Sequence, residues 1–387
     1  MESGYKRRTS MSTPVYLDSG ATTKVDEKVA AAALAAMTER YGNPSSAHRL
    51  GVEAARALEA AREQVARALS AEPSEITFTS GGTEANTLGL CGAANASRGR
   101  HVVISALEHP SISDGARHLA ESGFEVTTIA PEPDGVVAVE RFAEAVRPDT
   151  AVCALLWVQN ELGTIQPIAA LARAVKARAP RCHLHIDAVQ ALGKLPVDVT
   201  AQPIDSLALS AHKIHGPKGV GALWLRKGAR VKPRQFGGGQ ERGLRPGTEN
   251  LPGIVALGLA VELAEAARPE AAARMTALRE RLWQGIAARV PGAKRHGAPE
   301  RSSPHILSVG FAGAPAEPLL HALEAREVWV SAGSACHAKD KRPSPTLRAI
   351  GVPDDMGTLR FSLSRFTTAE EIDRAILAVA GALEELG

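Results

Sequence analysis

Two short apolar runs end in side chains that can do chemistry. The first, His183-Leu-His-Ile-Asp187, is followed by Ala-Val-Gln190, and the second, Ser206-Leu-Ala-Leu-Ser210, by Ala-His212-Lys213. A buried parallel strand reads this way when it delivers polar groups at its carboxyl end. Open α/β sheets bind ligands just outside those ends. If the two strands are neighbours, the Asp187 carboxylate and the Lys213 amine enter one crevice. A carboxylate facing a pyridinium nitrogen and a lysine able to form a Schiff base are the two anchors that pyridoxal phosphate requires. The same residues also read as an ordinary buried ion pair.

Other stretches add groups of the same kind. Thr79-Ser-Gly-Gly82-Thr83-Glu-Ala-Asn86 follows an apolar run and opens a helical pattern. Backbone N–H groups and small hydroxyls there could cup a phosphate, or the stretch could be a plain glycine-rich helix entry. It has neither the Walker nor the dinucleotide spacing. His109, just past another strand, could stack on a flat ring or shuttle a proton, or be an exposed loop histidine. Asn160 and Gln190 follow strands too, and could hydrogen-bond a ring oxygen or cap helices. Gly216-Pro-Lys-Gly-Val-Gly221 is better explained as a tight turn. In Ser331-Ala-Gly-Ser-Ala-Cys336 the cysteine is followed by His337, Lys339, Lys341 and Arg342. Nearby cations favour the nucleophilic thiolate, although a free cysteine in a turn is often inert.

Parallel β-structure must position these groups. Short β-rich runs at 75–79, 101–105, 124–129, 152–158, 183–187, 206–210 and 221–225 alternate with helical patterns. The rhythm predicts a mostly parallel sheet with helices on both faces. Beyond a long helix at about 252–290, strands at 305–311, 328–331 and 358–363 and a closing helix at 369–386 read as a smaller α+β domain. The N-terminal extended run at 15–18 is expected to join it. The 387 residues suit one large and one small domain, and the net charge of +3 argues against nucleic acid as a direct partner. Cys91, Cys153, Cys182 and Cys336 have no metal-ligand or disulfide spacing, so a reduced, cytoplasmic compartment and no metal are expected. No run of about 18 apolar residues predicts a membrane span. The polar leader through Thr13, with Lys6, Arg7 and Arg8, reads as a flexible tail rather than a secretory signal.

Taken together, Thr79-Ser-Gly-Gly-Thr83-Glu, Glu108-His109, Gln159-Asn160-Glu-Leu-Gly, Asp187-Ala-Val-Gln190, Ser210-Ala-His212-Lys213-Ile-His-Gly-Pro-Lys-Gly, Arg245-Pro-Gly-Thr248 with its preceding glycines, and Ser331-Ala-Gly-Ser-Ala-Cys336 form an ordered set. This set resembles the cysteine desulfurases of the NifS/IscS type, within the class-V aminotransferase family. The resemblance implies a pyridoxal-phosphate enzyme of fold type I, an α/β homodimer with its active site at the subunit boundary. It implies a large cofactor-binding domain at 14–262 and a small domain at 263–387 carrying the Cys336 loop, with residues to about 28 packing against the latter. On that pattern Lys213 carries the cofactor, Asp187 holds the ring nitrogen, His109 stacks on the ring, and Gln190 and Asn160 lie near the ring oxygen. Gly82, Thr83, Ser210 and His212 match the phosphate cradle, with Thr248 reaching in from the partner subunit. Arg360 matches the clamp on the carboxylate of L-cysteine, with Asn43 assisting. Cys336 would take the substrate sulfur as a persulfide, release L-alanine, and pass sulfur to an acceptor protein such as an iron–sulfur scaffold. The alternative within the fold is an aminotransferase or β-lyase in which Cys336 is idle. Ser19-Gly20 where asparagine is more usual, the charged run after Cys336 and the end at Gly387 without an extended tail depart from the pattern.

Overall fold

The computed structural model describes residues 13–333 and 344–386. Its strands are β1 (Val15–Tyr16), β2 (Ile76–Thr79), β3 (His101–Ser105), β4 (Glu125–Ile129), β5 (Thr150–Leu156), β6 (His183–Asp187), β7 (Ser206–Ser210), β8 (Gly221–Leu225), β9 (Lys294–His296), β10 (Ile306–Ala312), β11 (Val328–Trp329) and β12 (Met356–Ser362). Seven of them form one sheet in the order β2-β8-β7-β6-β5-β3-β4. From β4 across to β7 the pairing is parallel, and β8 runs antiparallel to both β7 and β2. This is the α/β architecture with a mostly parallel seven-stranded sheet that the alternating pattern predicts.

Alternation along the strands builds a core on each face. Val103, Leu155, Leu184, Ile186, Leu207 and Leu209 pack with Leu58 and Val65 of the helix Arg49–Ala68 and with Leu257 and Val261 of the helix Leu251–Arg289. Val102, Ile104, Val152 and Ala154 pack on the other side with Leu90, Ile112 and Leu119. On β6 the period of two sends Leu184 and Ile186 into the first core, which leaves His183, His185 and Asp187 on the opposite face. That polar stripe leads to the site.

A second, antiparallel sheet has the order β12-β10-β9, and β1 pairs in parallel with β11. Its core joins Val15 and Leu17 to Val309, Phe311, Leu359 and Phe361, and to Ile372 and Val379 of the helix Ala369–Leu386. The helix Leu251–Arg289 serves both layers: Ile254, Leu257 and Val261 lie in the first core, Met275, Leu282 and Ile286 in the second, with Pro269 between. Among the described residues, no helix is long and apolar enough to cross a membrane.

Several boundaries differ from the sequence reading. β5 spans Thr150–Leu156 rather than 152–158. Its early stop follows from Gln159, whose Oε1 accepts from the N–H groups of Glu161 and Leu162 at 2.6 and 2.7 Å and turns the chain. β9, three residues of basic character, has no apolar alternation to announce it. β11 is two residues long because its described ladder is the one with β1.

The loop after β8 is fastened from below. Glu241 and Arg242 adopt left-handed backbone angles, with φ of 46° and 58°. Glu241 is buried and accepts from Arg62 Nη1 and Nη2 at 2.9 and 2.8 Å and from the Phe78 N–H at 2.9 Å. Removing one partner of a buried ion pair leaves the other charge uncompensated. Arg62→Ala is therefore expected to cost about 3–5 kcal/mol in urea unfolding. A loss below about 1 kcal/mol, the range of an exposed pair, would show that this contact is not an anchor.

Candidate active site

β6 and β7 are neighbours in parallel register, with Asp187 opposite Ala208. After β7 the chain enters a tight helical turn, Ala211–Lys213, so Lys213 lies one turn beyond the strand rather than at its end. Asp187 and Lys213 both line a cavity of about 280 Å³. Gly82, Thr83, His109, Asn160, Gln190, Ser210 and His212 line it too, all carried just past the carboxyl ends of strands or at the helix starts that follow. Arg360 enters from β12 of the second sheet.

Two other expected residues lie outside this lining. Asn43 is exposed and outside the cavity lining; its Oδ1 accepts from the Ser45 N–H at 2.9 Å and holds a turn. Thr248 is exposed in the loop beyond Arg242 and is not part of the lining formed by its own chain. Cys336, with His337, Lys339, Lys341 and Arg342, lies outside the described residues.

The sequence reading missed several groups that complete the cavity. Lys213 Nζ donates to the backbone oxygens of Gly20 and Ala21 at 2.7 and 2.6 Å, so the N-terminal segment forms one wall. Gly20 must be small: an added Cβ would sit 2.9 Å from Ser362 Oγ, which accepts the Gly20 N–H at 2.7 Å. Asp18 accepts from Arg360 Nη2 at 2.8 Å and from Ser331 Oγ at 2.7 Å, while Arg360 Nη1 donates to the Asn160 backbone oxygen at 2.9 Å. Asn86 donates to Asp187 at 2.6 Å and to Ser111 Oγ at 2.8 Å. Asn86 stands three residues past Thr83, one helical turn, which is the one signal that could have placed it.

Charge in and around the cavity is strongly shaped by burial. The Asp187 carboxylate is 7 % exposed and accepts from Asn86 and from the Val189 N–H at 2.9 Å, leaving lone pairs for a further donor. Burial, with Lys213 and Lys218 nearby, pushes His212 down to about 4. Burial also pushes the Lys194 amine down to about 7, helped by Lys213, whose backbone oxygen accepts from Lys194 Nζ at 2.7 Å. Glu108, beside His109, is pushed up to about 8 by burial, against a hydrogen bond from Ser105.

The residues fit a flat, anionic pyridine cofactor. A carboxylate with spare acceptor capacity faces the cavity that also holds a lysine amine. The floor at Gly82 is shaped for close approach: an added Cβ would meet Val189 Cγ2 at 2.7 Å and Ser210 Cβ at 3.5 Å. Thr83 and Ser210 supply hydroxyl groups at the same edge.

The family Aminotransferase class-V matches residues 15–375, and the chain belongs to that family. A cysteine desulfurase IscS of Anaeromyxobacter dehalogenans is 44 % identical over 373 residues, covering 95 % of this chain and 91 % of the relative. The cysteine desulfurase IscS of Aeromonas hydrophila subsp. hydrophila is 42 % identical over 385 residues, covering 97 % and 94 %. Among solved structures, a NifS-like protein superposes with a TM-score of 0.91 at 37 % identity, over 96 % of this chain and 100 % of that one. A structure titled SspA in complex with cysteine gives 0.81 at 34 % identity, over 92 % and 100 %.

The buried histidines of β6 make stability depend on pH. Burial holds His183 and His185 down to about 4 and 3, against an ordinary value of 6.5. The unfolded chain takes up their protons as pH falls through 6.5, whereas the folded protein does not until far lower pH. Their contribution is thus complete above about 6.5 and declines below it, by up to about 1.4 kcal/mol per pH unit for each histidine. Urea midpoints should fall steadily between pH 6.5 and 4.5. A flat profile there would contradict the burial of these rings.

Proposed function

We propose that this protein is a pyridoxal-phosphate-dependent cysteine desulfurase that converts L-cysteine to L-alanine and hands the sulfur to an acceptor protein. The observation that carries this reading is the meeting of Asp187, Lys213 and Arg360 in one cavity. Names of relatives across nearly the whole chain support it. Bound pyridoxal phosphate would supply an electron sink for charge left at the substrate α-carbon.

In this reading residues 14–262 form the cofactor-binding unit, with the segment to about 28 packing against the other, and residues 263–387 the unit that carries Cys336. Lys213 anchors the cofactor and Asp187 holds its ring nitrogen. His109 lies against the ring, with Asn160 and Gln190 near its oxygen. Gly82, Thr83, Ser210 and His212 cradle the phosphate. Arg360, already oriented by Asp18 and the Asn160 backbone oxygen, takes the substrate carboxylate through charge-assisted hydrogen bonds. The Lys213 amine would move the α-proton of a substrate held in this cavity. The Cys336 thiolate attacks the substrate sulfur: the carbon–sulfur bond breaks, a sulfur–sulfur bond forms on the enzyme, and the carbon takes up a proton to leave as L-alanine. An acceptor thiol then removes the outer sulfur.

A second copy of the chain completes the site. Leu34, Met37, Tyr41 and Phe236 expose apolar surface, with Phe236 90 % accessible, which supports a homodimer. Thr248, outside its own cavity, would then serve the partner subunit's phosphate. Asn43 stays assigned to substrate contact only through resemblance. The reduced cytoplasm suits an enzyme that works through a free thiolate.

Replacing Cys336 separates this reading from an aminotransferase or β-lyase. Cys336→Ala should lower conversion of cysteine to alanine to background, whereas undiminished alanine would leave the cysteine idle and the proposal untenable. Lys213→Ala should lose the cofactor adduct that borohydride makes permanent. Lys218→Ala should keep it, because Lys218 is exposed in the turn beyond the cavity. Peptide mass analysis that finds the adduct on any other lysine would overturn the assignment of Lys213.

A further inference from the structure

The hydrogen bonds beneath the cavity have a single consistent direction, and it ends at Nδ1 of His109. Asn86 is 1 % exposed. Its Nδ2 lies 2.6 Å from Asp187 Oδ2 and 2.8 Å from Ser111 Oγ, and its Oδ1 lies 3.0 Å from His185 Nε2. The carboxylate can only accept, so the amide nitrogen must face it, and both amide protons are committed. Oδ1 therefore accepts from His185 Nε2–H. His185 Nδ1 must then accept from the Ser206 hydroxyl at 2.8 Å, and His183 Nε2 donates to that hydroxyl at 2.7 Å.

The other branch runs through Ser111. Its oxygen accepts from Asn86, which leaves its one proton for His109 Nδ1 at 2.8 Å. The Ser111 backbone N–H, which can only donate, also points at that nitrogen, at 3.1 Å. With two donors on Nδ1, the neutral ring carries its proton on Nε2.

We propose that Asn86 and Ser111 are positioning residues that let Asp187 hold His109 neutral, with Nδ1 closed as a base and the proton kept on Nε2. Hydrogen bonds to the lone pair of Nδ1 favour the uncharged ring. Asp187 sets which way the Asn86 amide faces, and Asn86 in turn sets which way the Ser111 hydroxyl donates. The acid assigned to the cofactor nitrogen and the histidine assigned to the ring face are thus joined through two neutral side chains. This deepens, and for its catalytic meaning rests on, the desulfurase reading. Among the described residues, the other ionisable groups lining the cavity are Asp187, His212, Lys213 and Arg360, with Glu108 next to His109 in sequence. None of them is altered by changing Ser111.

The test is nitrogen-resolved NMR of histidine-labelled full-length protein, with and without added pyridoxal phosphate, alongside the pH profile of alanine formation. In the parent protein His109 should be one neutral tautomer, protonated on Nε2. Ser111→Ala should raise its titration midpoint by about 0.5–1 pH unit, the size of one ordinary hydrogen bond. The acidic limb of turnover should move by the same amount. Ser111→Thr, which keeps the hydroxyl, should restore both, and Asn86→Ala should reproduce the shift. A proton on Nδ1 in the parent protein, or an unmoved midpoint in both Ser111→Ala and Asn86→Ala, would overturn the relay. The NMR readings need neither cofactor nor turnover. A parent protein that shows the expected titration but makes no alanine would therefore refute the desulfurase reading and leave the relay standing.

Discussion

The parallel pairing of β6 with β7 is the constraint from which the site follows. It sets Asp187 opposite Ala208 and lets the turn after Ser210 bring Lys213 to the same cavity. A one-residue slip would reverse every side chain on β6, sending His183, His185 and Asp187 into the apolar core and Leu184 and Ile186 out of it. The register is therefore held by the cost of burying charge as much as by the gain of burying leucine and isoleucine. Behind the strand pair, Ser206 lies between His183 and His185, so the polar stripe satisfies itself.

Among the described residues, polar contacts join the second sheet to this edge. Asp18 meets both Arg360 of β12 and Ser331 beyond β11, while Gly20 and Ala21 give their oxygens to Lys213. Asp26 pairs with Arg365 at 2.6 Å, 15 % and 12 % exposed in their side chains, which strengthens the same junction. The few residues after β1 thus touch the strand that carries the arginine and the turn that carries the lysine. A buried arginine already oriented by an acid is a better carboxylate receptor than a mobile one, because less freedom is lost on binding.

Much of this could be read from the chain. Bounded apolar runs placed the seven strands of the large sheet, since buried parallel strands need little but β-branched and aliphatic residues between turns. Polar and ionisable residues just past the ends of those runs pointed to Asp187, Lys213, His109 and Gln190, because a sheet edge is where an α/β fold can present them. Ser111 and Asp18 were not legible, and Asn86 only through its spacing from Thr83, since their importance comes from which side chain tertiary packing lays beside them. β9 and the short β1–β11 pair lacked a periodic signal. Asn43 and Thr248 show the opposite limit: motif position proposed them, whereas their own chain leaves both exposed.

The central claim is that one cofactor is held at two ends by Asp187 and Lys213. A crystal structure of the protein grown with pyridoxal phosphate tests it most directly. The account predicts continuous density from Lys213 Nζ to the cofactor, with the ring nitrogen within hydrogen-bonding distance of the Asp187 carboxylate. Density joined to Lys194 or Lys218, or a ring whose nitrogen faces away from Asp187, would contradict it.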